Sequence, residues 1–353
     1  MNTNKISTIT GVIIVLTLVL FFSGKNKNQK GSEYEIVGNS LLSEEVVKEM
    51  DTLIIENGSD SIKISKDKNE GWLLNNHHNI PVDFEKLSTF ANELLENKVE
   101  RFVSSKKETM DRLEFGDKRV LIKYAGKDFI LNIGKEGKSE GSFIQYISDK
   151  SAYLSDKSLD LNTDKNHWIE KKPFKSLQAD DIQSISLKSS NLEMFSFSRA
   201  TKEDEFDSVR TPDGMSLNQT EINSLIENII NLQFTDSRSL EDSEVQEGMQ
   251  KFQTLVMKTF ETEDTFTLEI GRKPEEVIEN EIQDSAQEGK EPQNKTIPAG
   301  PVVVKFNFSD EKNIWNLAQK ETAFIASSYS FNQFDNVAGK VYEESSPEQD
   351  PEN

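Results

Sequence analysis

The chain has 353 residues, no cysteine and a formal net charge of −21, from 41 basic and 62 acidic side chains. The missing cysteines exclude disulfides, thiolate nucleophiles and cysteine metal sites. Such acidity repels phosphate backbones, so no nucleic-acid partner is expected, and it keeps an exposed body soluble.

Ile6–Phe22 is a long uncharged apolar run between Lys5 and Lys25. At ~1.5 Å per residue a helix over it falls slightly short of the ~30 Å hydrocarbon layer. Ser23, Gly24 and snorkelling lysines make up the difference. A cleaved signal would place small residues where Phe21 and Phe22 stand, so residues 1–24 are read as an uncleaved membrane anchor. Lys25, Lys27 and Lys30 follow the span and oppose export by charge, but long domains cross largely regardless of charge. The expectation is a single-pass protein of the inner (plasma) membrane with its body on the extracytoplasmic side. Residues 25–49 read as a tether, rich in Lys, Asn and Gln, with a short helical spacing at Leu42, Val46, Val47 and Met50.

A first domain is expected over 50–160. Ile62 and Ile64 alternate with polar residues as in a half-buried strand, and Asn57-Gly58 before them is a hairpin turn signal. A short strand at Gly71-Trp72-Leu73-Leu74 leads to Ile80-Pro81-Val82-Asp83, where Asp83 suits a helix N-cap. Phe84, Leu87, Phe90, Ala91, Leu94 and Leu95 then mark one apolar helix face. After a loop around Ser104–Asp111 come strand patterns at Val120–Tyr124, Phe129–Ile133, Phe143–Ile147 and Ala152–Leu154.

Beyond a linker at 161–180, a second domain over 181–335 repeats this order. Ile182–Leu187 and Met194–Phe197 stand for the opening hairpin, and Met215-Ser216-Leu217-Asn218 stands for Ile80-Pro81-Val82-Asp83. The helix Glu221–Leu232 is followed by strands at Thr254–Met257, Phe266–Ile270 and Val302–Phe306, with Gly271 falling where Gly134 fell. The segment Pro274–Gly300, with seven acidic and two basic residues, reads as an acidic loop insertion, and 336–353 as a disordered acidic tail. The expected fold is α+β: one transmembrane helix, then two tandem related domains of mainly antiparallel sheet with one main helix each.

The order Gly71-Trp72, then Ile80-Pro81-Val82 opening a helix, then Val120–Tyr124 and Phe129 to Ile133-Gly134-Lys135 resembles a family of domains of unknown function. Members of that family are usually anchored by one N-terminal helix, are often duplicated, and tend to be encoded beside ABC-transporter components, including those of gliding-motility auxiliary type. The resemblance covers residues 50–155. Over 181–335 no Gly-Trp pair follows the opening strands. The pattern is structural and carries no catalytic residue, so what it implies is an accessory role on the envelope side of a membrane.

Several motifs invite chemistry and fail on context. Gly137-Lys138-Ser139-Glu140-Gly141 fits the nucleophile elbow, with His167 and Asp160 or Asp164 downstream, but it lies between two strand patterns where the elbow needs a strand-to-helix turn. Gly137-Lys138-Ser139 also imitates the end of a phosphate loop, whose first glycine would fall on Asn132. His77-His78 point to opposite faces of any strand and read as a turn. Asp180-Asp181 and Glu203-Asp204-Glu205 lack calcium-loop spacing. Trp72 is expected in the core. No catalytic, cofactor-binding or metal-ligating residue is therefore assigned, and no cofactor or enzyme activity is expected. The preferred reading is a non-catalytic accessory or scaffold protein presenting a two-lobed body to an envelope complex, an ABC-type transporter. The alternatives are an envelope glycan- or peptide-binding protein, or a serine-type hydrolase.

Overall fold

The computed structural model describes residues 35–345, apart from 69–70, 138–140, 190–191, 251, 262–263 and 279–294. The protein is α+β, built mainly of antiparallel sheet. Its residues cluster into two units. One runs to Lys66 and resumes over Phe84–His167; the other joins Asp67–Asp83 to Trp168 and everything after it.

In chain order the first half holds α1 (Glu44–Lys48), β1 (Met50–Asn57), β2 (Asp60–Lys66), β3 (Trp72–Leu74), β4 (Ile80–Pro81), α2 (Phe84–Glu96), β5 (Val99–Ser104), α3 (Lys107–Met110), β6 (Lys118–Tyr124), β7 (Lys127–Glu136), β8 (Ser142–Tyr146), β9 (Ala152–Ser155) and α4 (Lys165–Trp168). The second half holds β10 (Ile182–Ser189), β11 (Leu192–Ser198), β12 (Asp207–Ser208), β13 (Met215–Leu217), α5 (Gln219–Ile230), β14 (Phe234–Ser239), α6 (Ser243–Gly248), β15 (Phe252–Thr259) and β16 (Thr265–Arg272). It closes with β17 (Glu276–Ile278), β18 (Lys295–Ile297), β19 (Val302–Phe308), α7 (Trp315–Ala318), β20 (Thr322–Ala326), α8 (Ser328–Ala338) and β21 (Tyr342–Glu344).

Within the first unit the strands lie in the order β2-β1-β6-β7-β8-β9-β5. Within the second they lie in the order β12-β11-β10-β15-β16-β19-β20-β14. Reading β1 as β10, β2 as β11, β5 as β14, and β6 to β9 as β15, β16, β19 and β20, the two orders coincide. In both, the edge strand that directly follows the long helix pairs with the last strand of the set, β5 with β9 and β14 with β20.

The registers follow from the side-chain alternation. Leu53 opposes Ile64 and Ile122, and Ile55 opposes Ile62 and Val120, so one face of the first sheet is a continuous apolar row. Helix α2 buries Leu87, Phe90, Ala91 and Leu94. In the second unit Leu187 opposes Phe195 and Leu255, and Leu255 opposes Leu268. There the core turns aromatic: Phe234 stacks on Phe324 with centroids 4.4 Å apart, and Phe306 packs against both and against Trp315. Such pairs add about 0.5–1.5 kcal/mol each beyond the area they bury. Helix α5, capped by the Asn218 side chain on Glu221 N, packs against α8.

The turns match their chemistry. Gly58 takes φ +64° in the β1–β2 hairpin, whereas Asn57 stays in the strand as the partner of Asp60. In the β6–β7 hairpin both Ala125 and Gly126 adopt positive φ, the two-residue form whose twist suits paired strands.

Some expectations change. The proposed anchor Ile6–Phe22 lies outside the described residues; among those described, no helix is long and apolar enough to cross a membrane. The ends of the Pro274–Gly300 segment are not loop: β17 and β18 pair antiparallel. Nor is 336–353 a tail throughout, because α8 runs to Ala338 and β21 pairs with β13. Trp72 is half-buried rather than core; the buried tryptophans are Trp168 and Trp315. Gly71 beside it makes room for Ile314, whose Cγ2 would sit 2.6 Å from a Cβ at that position.

Candidate functional site

Among the described residues each unit shows an open cavity whose lining mixes polar and apolar atoms. In the first, about 500 Å³ is bounded by Lys107, Asp111, Phe115, Gln145 and Lys150 among others. Beside it the loop after β8 carries an ordered acid. The Tyr153 hydroxyl donates to Asp149 Oδ2 at 2.5 Å, and Ser151 N donates to Oδ1 at 3.0 Å. Burial pushes the Asp149 carboxyl up, but these hydrogen bonds outweigh it and hold the group below its ordinary value. Burial also pushes the neighbouring Tyr146 phenol far up, and its hydroxyl donates to Leu41 O at 3.1 Å, so it stays a neutral donor.

In the second unit about 610 Å³ is bounded by Gln183, Ser198, Arg199, Asp204, Glu205 and Lys258 among others. Arg199 is 9% exposed. Its guanidinium donates to Ile182 O at 2.9 Å, Ala179 O at 2.9 Å and Lys202 O at 3.1 Å. The rings of Phe206 and Phe260 lie 4.6 and 5.7 Å from its central carbon. Carbonyl dipoles and ring faces here do the stabilising that a carboxylate does in an ion pair. The residue is a staple, with every arm in use.

The sequence candidates land around these features without forming a reactive set. Asp181 accepts from Lys202 Nζ at 2.9 Å and from Gln178 N at 3.0 Å, which assigns it to an ion pair and a turn cap. That hydrogen bond from Lys202 raises the lysine above its ordinary value. Asp180 is exposed. Asp204 accepts from Thr201 N at 2.9 Å and closes its own loop. His77 and His78 sit in the β3–β4 turn, where His78 takes φ +58° and its Nδ1 lies 3.4 Å from Glu321 Oε2. Among the described residues no three acidic or histidine side chains are grouped to hold a metal ion.

The elbow reading loses its geometry. Ser139 lies outside the described residues, and the flanks of its loop close a hairpin, with Gly137 N donating to Gly141 O at 2.8 Å. Gly141 is needed for another reason: a Cβ there would lie 1.8 Å from the Ser155 carbonyl oxygen. His167 is half-buried in α4, and its amide donates to Asp164 O at 3.0 Å.

What sequence reasoning missed is Arg199 and the pairing of β13 with β21. The first shows only as a lone arginine ending the alternation Phe195-Ser196-Phe197-Ser198. The second has a faint signal, since Val341-Tyr342-Glu343 echoes Trp168-Ile169-Glu170.

Two α+β units with matching strand order define the class of protein by its architecture. Residues 72–251, just over half of the chain, match the family described as domain of unknown function (DUF4340), and the chain belongs to that family. The matched stretch starts at Trp72 in β3 and ends just before β15, so it takes in parts of both units. No curated protein and no solved structure matches the chain.

Proposed function

We propose that this protein is a non-catalytic accessory or scaffold subunit, tethered to the inner membrane by Ile6–Phe22. It presents a tandemly duplicated sheet module, on the extracytoplasmic side, to an envelope complex. The observation that carries this reading is the coincidence of the two strand orders. Two copies of one module, each with its own apolar core, make a construction suited to presenting surface. Two polar groups point the same way: Arg199 is spent on backbone carbonyls and Asp181 on Lys202 and the Gln178 amide. The uncharged run at the N-terminus supports the tether. The resemblance to membrane-anchored, duplicated proteins encoded beside ABC-transporter components of gliding-motility auxiliary type supports a transporter of that class as the partner.

The test is affinity purification through a C-terminal tag from detergent-solubilised membranes, with protease accessibility of the tag in intact and permeabilised cells. Transporter subunits are expected in the eluate, and the tag is expected to be cleaved once the outer layers alone are opened. Recovery of the intact chain in the cytosolic fraction, without transporter subunits, overturns the reading.

A further inference from the structure

The duplication gives each sheet an internal control in the other, and their outer faces, turned away from the core rows, are not alike. In the first sheet Ile54 of β1 opposes Leu121 of β6, Leu121 opposes Ile130 of β7, and Ile147 N donates to Ile130 O at 3.1 Å. Four apolar residues thus stand in line across three strands and the residue that follows β8. Ile54, Leu121 and Ile130 are half-buried and Ile147 is 60% exposed. The same line in the second sheet, traced through the same pairings, is Ser186, Val256, Thr267 and Asn307. An antiparallel sheet with one solvated face ordinarily turns polar residues to that side. The second sheet does so, and the shared topology therefore does not require the apolar line of the first.

Basic residues border the line. Lys123 is exposed two residues from Leu121, on the same face of β6. Gln145, two residues before Ile147, borders the cavity that also meets Lys107, Met110, Phe115 and Lys150, with Asp111 the acid in its lining. Charge is divided as unevenly as the faces. The first unit holds 22 basic and 23 acidic side chains, a net −1, and the second 19 and 39, a net −20. Nearly all the acidity lies in the unit whose outer sheet face is polar. The near-neutral unit carries the apolar line and its lysines. Anionic lipid repels the second and admits the first, because lysines close to such a surface are attracted to it.

We propose that the outer face of the first sheet, along Ile54, Leu121, Ile130 and Ile147, lies against the anionic lipid surface of the membrane that holds the chain, with Lys107, Lys123 and Lys150 on lipid phosphates. This contact rests on the tether proposed above, and not on which complex the protein joins. The tether also brings the surface within reach. Residues 25–34 alone separate the anchor from Glu35, the first described residue, so Glu35 stands at most about 35 Å from the anchor's end. Ile147 and the apolar side chains Met110 and Phe115 then meet the boundary between headgroups and acyl chains, where the lysines keep their ammoniums among the phosphates.

The chain has no cysteine, so Ile147→Cys carries a fluorescent dye at a single position. The full chain is reconstituted into phosphatidylcholine vesicles containing a little nitroxide-labelled phosphatidylcholine, with or without about one-third phosphatidylglycerol. The nitroxide should quench the dye about threefold more strongly when phosphatidylglycerol is present, and salt at about 0.5 M should remove the difference. A dye on Val209→Cys, at a site 97% exposed in the second unit, should be quenched alike in both. Lys107→Glu combined with Lys150→Glu should abolish the difference at Ile147→Cys without moving the melt. Lys188→Glu, exposed on the outer face of the second sheet, should leave it intact. Equal quenching in the two vesicles, or a difference that survives the paired lysine reversal, overturns the proposal. Shielding of the dye that grows with protein per vesicle and ignores lipid composition overturns it in favour of a second copy of the chain. Flotation separates this contact from the tether. A chain that floats with both compositions and is quenched equally keeps the tether and loses the face. One that floats only with phosphatidylglycerol keeps the face and loses the tether, and one that floats with neither loses both.

Discussion

The two sheets are covered on their β7 and β16 sides by different means. In the first unit the cover after β5 is held by its backbone: Leu113 O accepts from Lys135 N at 2.9 Å, directly over Gly134. Helix α3 there buries no residue, and its N-cap, Lys106, makes no side-chain capping bond. In the second unit the cover is held by a side chain. Val245 of α6 packs with Val303, Ala323 and Ile325, and Asp242 caps the helix by accepting from Glu244 N and Val245 N. The same position in one topology is thus kept by a main-chain bond at one buried leucine, Leu113, in one copy and by a small apolar cluster in the other. Topology survives when the fastening changes, provided the covering chain can come close, and both copies keep a glycine for that.

The sharpest way to break the comparison is to fill those glycines. At Gly134 a Cβ would lie 2.2 Å from the Leu113 carbonyl oxygen, and backbone cannot step aside. Gly134→Ala should cost about 3 kcal/mol, read as a drop in the denaturant midpoint. At Gly248 the obstacle is Val303 Cγ2 at 2.7 Å, the end of a side chain, so Gly248→Ala should cost clearly less, about 1 kcal/mol. Equal losses would show that the two covers are fastened alike.

Asp242→Ala should cost about 1 kcal/mol by removing a used cap. Lys106→Ala should stay within about 0.5 kcal/mol, since no capping bond is lost. Chemical denaturation of both variants checks the contrast.

The smallest effect is a pH dependence. The Asp149 carboxyl sits below its ordinary value when folded, so its stabilising contribution is present above the unfolded carboxylate range and is lost as pH falls through the folded value. The stability gap between the native chain and Asp149→Asn should therefore shrink on going from pH 7 to below about pH 4, the ordinary carboxylate range. A gap independent of pH would remove the Tyr153–Asp149 bond from the account.

Much of each core was legible because period-two burial prints directly on the sequence. Val120–Tyr124, Phe129–Ile133 and Thr254–Met257 all fall inside observed strands, and the helix expected over Glu221–Leu232 overlaps α5 almost completely. The matching of Met215–Asn218 to Ile80–Asp83 is also visible in the hydrogen bonds that the Asp83 and Asn218 amides make. Strands β5 and β14 were not legible. Each is an edge strand with little apolar alternation, Val99-Glu100-Arg101 and Phe234-Thr235-Asp236, so its strand state comes from the partner it pairs with. Strand β21 was hidden in an acidic, proline-containing stretch whose composition suggested a tail. Arg199 could not be read at all, because its three carbonyl acceptors belong to residues scattered along the chain, and local pattern does not report such convergence.

The placement of Asp67–Asp83 has a practical consequence. A fragment starting at Trp168 would leave Ile169 without Val82 and Ile314 without the open space at Gly71, with apolar surface newly bared to water. One scission between the sequence halves therefore does not yield two sound pieces. Obtaining the second unit in isolation calls for grafting the 67–83 ribbon ahead of it through a designed joint.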